Sequence, residues 1–458
     1  MKQRWVVRGV LLFLLCFANL NQMWSPDVVP NGLLSWTLLR QGNVDYDEFA
    51  IDRETYFFRA CGVSTATAAP ALPRSGGGPP PPGPADHVCS IFPPGIGLLA
   101  LPFYAPFVLA GAAPDDAAVL LGAGHAVAAL LETIAALLLW SLALRFVPAR
   151  TALLLTLLYL LGTSVRTVGS QALWQHAGVH AAVAFALWQT LRAAVRPRHA
   201  AFAGLALGFG AVVRQTTALV APAIVAASPR AATLGLITGL LPLLAYNVVA
   251  FGSPFEQGYG AKPLDPGAAL TGVHGLLLSP SRGLLVYEPW VVAAIASLAL
   301  AWRRTGPFAV RLRWLGLSAL ALLLLYATYA EWWGGRVFGP RFLDDLAPVT
   351  IAALAWGIGQ GLLAGRLRPV LFAAAAGWSV VLFGAAALVY GGRWDLAPVN
   401  VNFAPARLFD WGDPQWLAVL RDVPGGGPRV LAAILLSALL LALLARWESR
   451  SLPVSSRP

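Results

Sequence analysis

Long apolar windows separated by short polar punctuation dominate this chain. Windows of this kind cover 231–251, 285–302, 312–330, 346–364, 369–390 and 429–446. Each is close to the roughly 20 residues a helix needs to cross a bilayer. Further apolar windows lie at 6–23, 117–145, 150–163, 174–191, 200–213 and 216–228. The pattern predicts an all-α polytopic membrane protein of about twelve crossings, with both ends on the cytoplasmic side. One stretch, 94–112, breaks the parity. Counting it as a crossing inverts every later loop, and Pro102 and Pro106 fit a broken segment better than a straight helix. It is therefore expected to be partly embedded on the outer side.

Composition agrees. Of the 458 residues 58% are apolar and 12% charged, and mean hydropathy is +0.67, whereas soluble domains carry about 25% charged residues. The net charge of +11 does not point to nucleic acid. Its arginines punctuate helix ends: Arg145 and Arg150, Arg192, Arg196 and Arg198, Arg230, Arg303, Arg304, Arg311 and Arg313, Arg366 and Arg368, Arg446 and Arg450. Positive-inside bias explains that spacing and, with Lys2, Arg4 and Arg8, places the N-terminus in the cytoplasm. The opening "MKQRWVVRGVLLFLLCFANLNQM" lacks a small-x-small cleavage site and reads as an uncleaved first helix.

The chain reads as one transmembrane domain, 1–458, with a long first extracytoplasmic loop at 24–116 and a last one at 391–428. Cys61 and Cys89 flank the flexible run "RSGGGPPPPGP" in the first loop. They either pair as a disulfide in an oxidising compartment or remain two thiols. Cys16 is expected to pack in the first helix. Nearly every unusual polar group falls on the outer face under this topology. The first loop carries Asp27, Asp45, Asp47, Glu48, Asp52, Arg53 and Glu54. The second carries Arg166 and "SQALWQHAG", with Trp174, Gln175 and His176. Arg214 sits at the turn "RQTT", Tyr259 in "FGSPFEQGYG", and Arg282 and Tyr287 in "LLLSPSRGLLVYEP". Trp333, Arg336 and Arg341 come from "EWWGGRVFGPRFLDD". Clustered Arg and Trp at helix mouths suit an amphipathic anion, the guanidinium for its charged oxygens and the indole for its flat face. No GxxxxGK[ST], HExxH or CxxC is present, and no cluster has metal-ligand spacing. His125 and Glu132 lie in an apolar helix and are expected to face other helices.

The layout resembles the GT-C superfamily of membrane glycosyltransferases, nearest its bacterial lipid-carrier-dependent branch of protein O-mannosyltransferases and aminoarabinose transferases. The stretch "SPDVVPNGLLSWTLLRQGN" places Asp27 fifteen residues before Gly42. "IFPPGIGLLALPF" then supplies the pair Pro93–Pro94. The resemblance implies a short first helix, a long loop carrying amphipathic surface helices and about ten further crossings. It also implies transfer of a monosaccharide from a polyprenyl-phosphate carrier to an acceptor nucleophile, the donor being a co-substrate and no cofactor being needed. Asp27 would be the general base, with Asp47 and Glu48 as further acidic candidates. Arg214, Arg282, Arg336 and Arg341 would hold phosphate, and Trp174, Gln175, His176, Tyr259, Tyr287 and Trp333 would contact substrate. The chain departs from the pattern where Val28 follows Asp27, where Phe92 precedes Pro93, and where Gln175 and His176 stand in place of a loop aspartate.

Bland readings stand beside these. Asp27 caps a helix, Asp47 and Glu48 form a solvated turn, and Trp332 and Trp333 are interfacial belt residues. Arg341 pairs with Asp344 or Asp345, and Arg282 with Glu288. The alternative function is a transporter or flippase of an anionic lipid, which requires polar residues through the membrane's depth. The expected partners are the lipid-linked donor, an acceptor (protein, lipid or polysaccharide) and membrane lipids. The expected location is a bacterial cytoplasmic membrane with the site on the periplasmic side.

Overall fold

A computed structural model describes residues 2–18, 25–49, 55–61, 87–193, 196–226, 228–260 and 264–449. The Pro/Gly run 74–84 and Asp52, Arg53 and Glu54 lie outside the described residues. The protein is mostly helical and membrane-embedded. Each predicted window holds helical structure. In chain order the helices begin with α1 (Lys2–Phe17), then α2 (Val29–Trp36) and α3 (Gly95–Leu109) of the first loop, then α4 (Ala117–Ala143), α5 (Ala149–Leu161), α6 (Gln175–Ala193) and α7 (Pro197–Val213). Six helical stretches among the described residues are long and apolar enough to cross a bilayer: Ala117–Ala143, Pro229–Phe251, Pro307–Ala327, Arg341–Gly359, Leu367–Val389 and Gln415–Glu448. Others fall short; α5, with 13 residues, spans only about 20 Å. Large apolar side chains such as Leu234, Val249 and Leu435 remain exposed on the outer helices, as lipid contact requires.

Four local findings amend the sequence reading. The window 285–302 is not one helix, because a turn at Glu288–Pro289 separates Leu284–Tyr287 from Val291–Ala301. A further apolar helix, Ala269–Leu278, occupies what read as loop. The first loop also contains a two-stranded antiparallel sheet, β1 (Phe58–Cys61) with β2 (His87–Ser90), whose edges Cys61 and Cys89 are joined as a disulfide. Finally, α2 follows Asp27 and its continuation ends at Gly42 in the left-handed region, but every residue of α2 is buried. It packs inward against α3 and α4 instead of lying amphipathically on the surface.

The segment 94–112 forms α3, whose 15 residues reach about 22 Å and contain Pro102 and Pro106. It packs against α2 on one side and α4, α6 and α7 on others.

The closest helix pair is α7 with Pro229–Phe251. Gly204 and Gly208 on one face Gly235 and Gly239 on the other, at i, i+4 spacing on both, so the backbones touch directly. A Cβ at Gly208 would enter the Leu236 carbonyl oxygen. Gly208→Val is therefore expected to cost the upper part of the roughly 1–3 kcal/mol typical of overpacking. Gly122, in open space on α4, serves as control. Thermal melting in detergent measures both; a Gly208→Val protein as stable as Gly122→Ala would refute direct backbone packing.

Candidate functional site

At one end of the bundle a cavity of about 340 Å³ opens among segments far apart in sequence. It is lined by Asp27 and Asn31, by Phe57 and Phe92 of the first loop, by Trp174 and Gln175 at the start of α6, and by Arg214 after α7. Tyr259, Tyr329 and Glu331, then Gly334, Gly335, Arg336, Arg341, Phe342 and Asn402, complete the wall. Three arginines thus face two carboxylates, framed by aromatic rings.

Local chain geometry places each group. Asp27 lies in the 3-10 turn Pro26–Val28, and its carbonyl accepts the Asn31 Nδ2 donor at 3.0 Å. Asn31 also donates to the Leu173 carbonyl at 2.9 Å, tying this turn to the mouth of α6. Arg214 adopts an extended conformation that ends α7 and turns its side chain toward the cavity. Gly334 and Gly335 both lie at positive φ, 75° and 78°, which allows "WWGG" to fold over the site. Phe57 at φ 59° is a non-glycine residue in the left-handed region, a conformation that costs about 1–2 kcal/mol. Its carbonyl accepts the Ile91 N–H, and its ring meets Phe92 edge-on at the cavity rim.

Two arginines converge on His176. Arg341 Nη2 donates to Asp27 Oδ2 at 2.5 Å, and its Nε approaches His176 Nε2 at 3.3 Å. Arg214 reaches the same His176 Nε2 at 3.2 Å, lies 3.1 Å from Asp345, and donates to Tyr326 at 2.7 Å. Guanidinium groups only donate, so His176 Nε2 is the acceptor and its proton rests on Nδ1, directed to Asp345 Oδ1 at 2.8 Å. Asp345 thereby orients a neutral imidazole that aligns two cations. Arg336 is exposed at the mouth and has no ion-pair partner among the described residues. Burial raises the Tyr259 phenol's pKa, so it stays protonated. Two donors are buried at this wall without a partner among the described residues: Trp174 Nε1 and Gln175 Nε2. Buried donors left unmade cost about 1–3 kcal/mol each, so an acceptor-rich ligand is the natural partner.

Of the predicted residues, Asp27, Trp174, Gln175, Arg214, Tyr259, Arg336 and Arg341 meet at this cavity. His176 stands directly behind it. Arg341 pairs with Asp27 and not with Asp344 or Asp345. The rest lie elsewhere. Asp47 is a fastener between loop and sheet: Oδ1 accepts Val88 N–H at 2.8 Å and Oδ2 meets His87 Nδ1 at 2.5 Å. That hydrogen bond raises the pKa of His87. Glu48 is exposed beside it, away from the cavity. Neither acid lines the cavity that holds Asp27. Arg282 is almost wholly buried; it donates to Asp395 at 2.6 Å, to Gln415 at 2.8 Å and to the Gly335 carbonyl at 3.2 Å. It is consumed as a structural cation supporting the "WWGG" turn and is unavailable to phosphate, and its partner is Asp395 instead of Glu288. Tyr287 is buried against the same Gln415. Trp333 is buried and donates to Asn402 at 3.1 Å, so it positions a wall residue without itself lining the wall.

Glu132 faces other helices, as expected, within a second polar chain in the apolar interior whose other members the sequence reading did not single out. Tyr159 donates to Glu132 Oε2 at 2.5 Å, Glu132 Oε1 meets His180 Nδ1 at 2.7 Å, and His180 Nε2 donates to the Asp344 carbonyl at 2.9 Å. All four residues are buried. His176 and His180 lie one turn apart on α6, so the two chains meet there. The i, i+4 histidines and a lone glutamate in an apolar helix were the available signal. Asp345 and Tyr326 were missed because their roles depend on contacts from other helices. Comparison with known families, curated proteins and solved structures found no match for this chain.

Proposed function

We propose that this protein is a membrane glycosyltransferase with a GT-C-like bundle of about twelve crossings. It moves a monosaccharide from a polyprenyl-phosphate carrier to an acceptor on the extracytoplasmic face of a bacterial cytoplasmic membrane. The observation that carries the reading is one wall combining a carboxylate, three arginines and two orphaned donors, Trp174 Nε1 and Gln175 Nε2. A sugar phosphate has complementary chemistry: anionic oxygens for the guanidiniums and hydroxyls for the donors. In the step, Asp27 takes the acceptor's proton as its oxygen bonds the anomeric carbon. The bond from that carbon to the phosphate oxygen breaks on the opposite side, inverting configuration. Polyprenyl phosphate leaves with the electron pair, its charge balanced by Arg214, Arg336 and Arg341. An arriving phosphate competes for Arg341 and so releases Asp27 from its ion pair. The donor is a co-substrate, and this route uses no resident cofactor.

The test supplies labelled polyprenyl-phosphate sugars to membranes holding the protein and follows label into covalent product. Bond formation supports the reading; no product from any sugar tested defeats it. A transporter of an anionic lipid is the second reading, favoured by the Tyr159–Glu132–His180 chain inside the bundle. Uptake of an intact substrate by proteoliposomes, without bond formation, would select it.

A further inference from the structure

A second cavity, about 380 Å³, lies at the same end of the bundle where Leu367–Val389 finishes and Gly427–Ser449 begins. Its wall carries Arg393, Arg421 and Arg429 against a single carboxylate, Asp422, with Gly425 and Gly426 exposing backbone between them. Arg429 is anchored, donating to the Leu388 carbonyl at 2.7 Å. Arg393 and Arg421 have no hydrogen-bond or ion-pair partner among the described residues. The position is unusual for arginine. The other basic residues of these two helices, Arg366, Arg368 and Arg446, gather at the opposite end, where positive-inside bias puts them. Both helices also expose large apolar residues along their length, Val381 on one, Leu431 and Leu435 on the other.

The geometry points to a phosphate-binding site here, separate from the first cavity and suited to the headgroup of an anionic lipid whose chains run down the apolar faces of these two helices. Three guanidiniums around a cavity of this size match phosphate oxygens, and their charge exceeds what Asp422 offsets. The exposed aliphatic faces supply what a free phosphate lacks, a bed for acyl chains. The site stands independently of the glycosyltransferase reading, because none of these arginines lines the first cavity.

The full chain is purified and offered two probes: vesicles of phosphatidylglycerol in phosphatidylcholine, with retained lipid read by native mass spectrometry, and inorganic phosphate, read by thermal shift. Arg393→Gln/Arg421→Gln is expected to weaken preference for phosphatidylglycerol over phosphatidylcholine by at least about tenfold, since a single lost charge-assisted contact is worth about that factor and two are removed. Arg303→Gln/Arg304→Gln removes equal charge at the other end of the bundle and leaves the preference intact. Stabilisation by inorganic phosphate that the first variant abolishes, without lipid preference, identifies a free phosphate as the source and keeps the anion site. A variant that binds both probes as wild type does, or a wild type that binds neither, overturns the proposal.

Discussion

Asp27→Asn is expected to abolish most transfer, lowering the rate by about 10²- to 10⁴-fold, while leaving the folded protein intact. The magnitude is that of a general base removed from a positioned site. Asparagine keeps the size of the side chain, and the backbone carbonyl that accepts Asn31 is untouched, so the turn survives. What disappears is the group able to take a proton, together with the charge that holds Arg341 at 2.5 Å. A freed Arg341 is expected to bind the phosphate of the donor more tightly, so KM for the donor falls or holds while kcat collapses. That split separates loss of a base from loss of the site. The measurement is transfer of labelled sugar by purified wild type and variant, with melting temperature as the folding control. Undiminished transfer by a well-folded Asp27→Asn protein would sink Asp27 as the base and leave its ion pair as a structural clasp.

The largest stability effect is expected at the Arg282–Asp395 pair. Both side chains are buried, at 1% and 0% exposure, so water cannot replace a lost partner. Asp395 accepts from Arg282 at 2.6 Å, from Tyr390 at 2.5 Å and from Gln415 at 3.1 Å on each oxygen. Asp395→Ala strands the guanidinium in the interior and is expected to destabilise by about 3–5 kcal/mol, the usual penalty for half a buried pair. The double variant Arg282→Met/Asp395→Leu removes both charges and is expected to recover much of the loss. Because Arg282 also holds the Gly335 carbonyl, the single variant should loosen the wall of the first cavity and weaken donor binding along with stability. Melting in detergent across the three proteins checks this; an Asp395→Ala protein that melts with wild type would show the pair to be dispensable.

How much was legible beforehand follows the range of the interactions involved. Helical windows were readable because hydropathy is set by neighbours within one segment. Gly42 was picked out only by the family resemblance, and the structure places it in the left-handed region where the helix ends. The burial of α2 was not readable, because it depends on Tyr104, Leu120 and Leu34 closing around Gly32 and Gly97. Arg282 and Arg341 illustrate the same limit within the site. Both are arginines in a Gly- and Pro-rich loop, and nothing in those loops distinguishes a guanidinium neutralised by Asp395 from one facing a cavity. Asp47 looked as acidic and as near the first helix as Asp27, yet the β1–β2 sheet drew it away to His87.

The sequence by itself determined that the chain is helical and membrane-embedded, that its polar groups gather toward one end, and that Asp27, Trp174, Gln175, Arg214 and Arg341 were worth singling out. Those are properties of composition and short-range pattern. Only the tertiary structure decided partnership: that Asp27 meets Arg341 across 314 residues, that His176 aligns two arginines under Asp345, and that Glu132 finds His180 inside the bundle. An ion pair or hydrogen bond exists only within a few ångströms, and that proximity is created by helix packing, not by position along the chain.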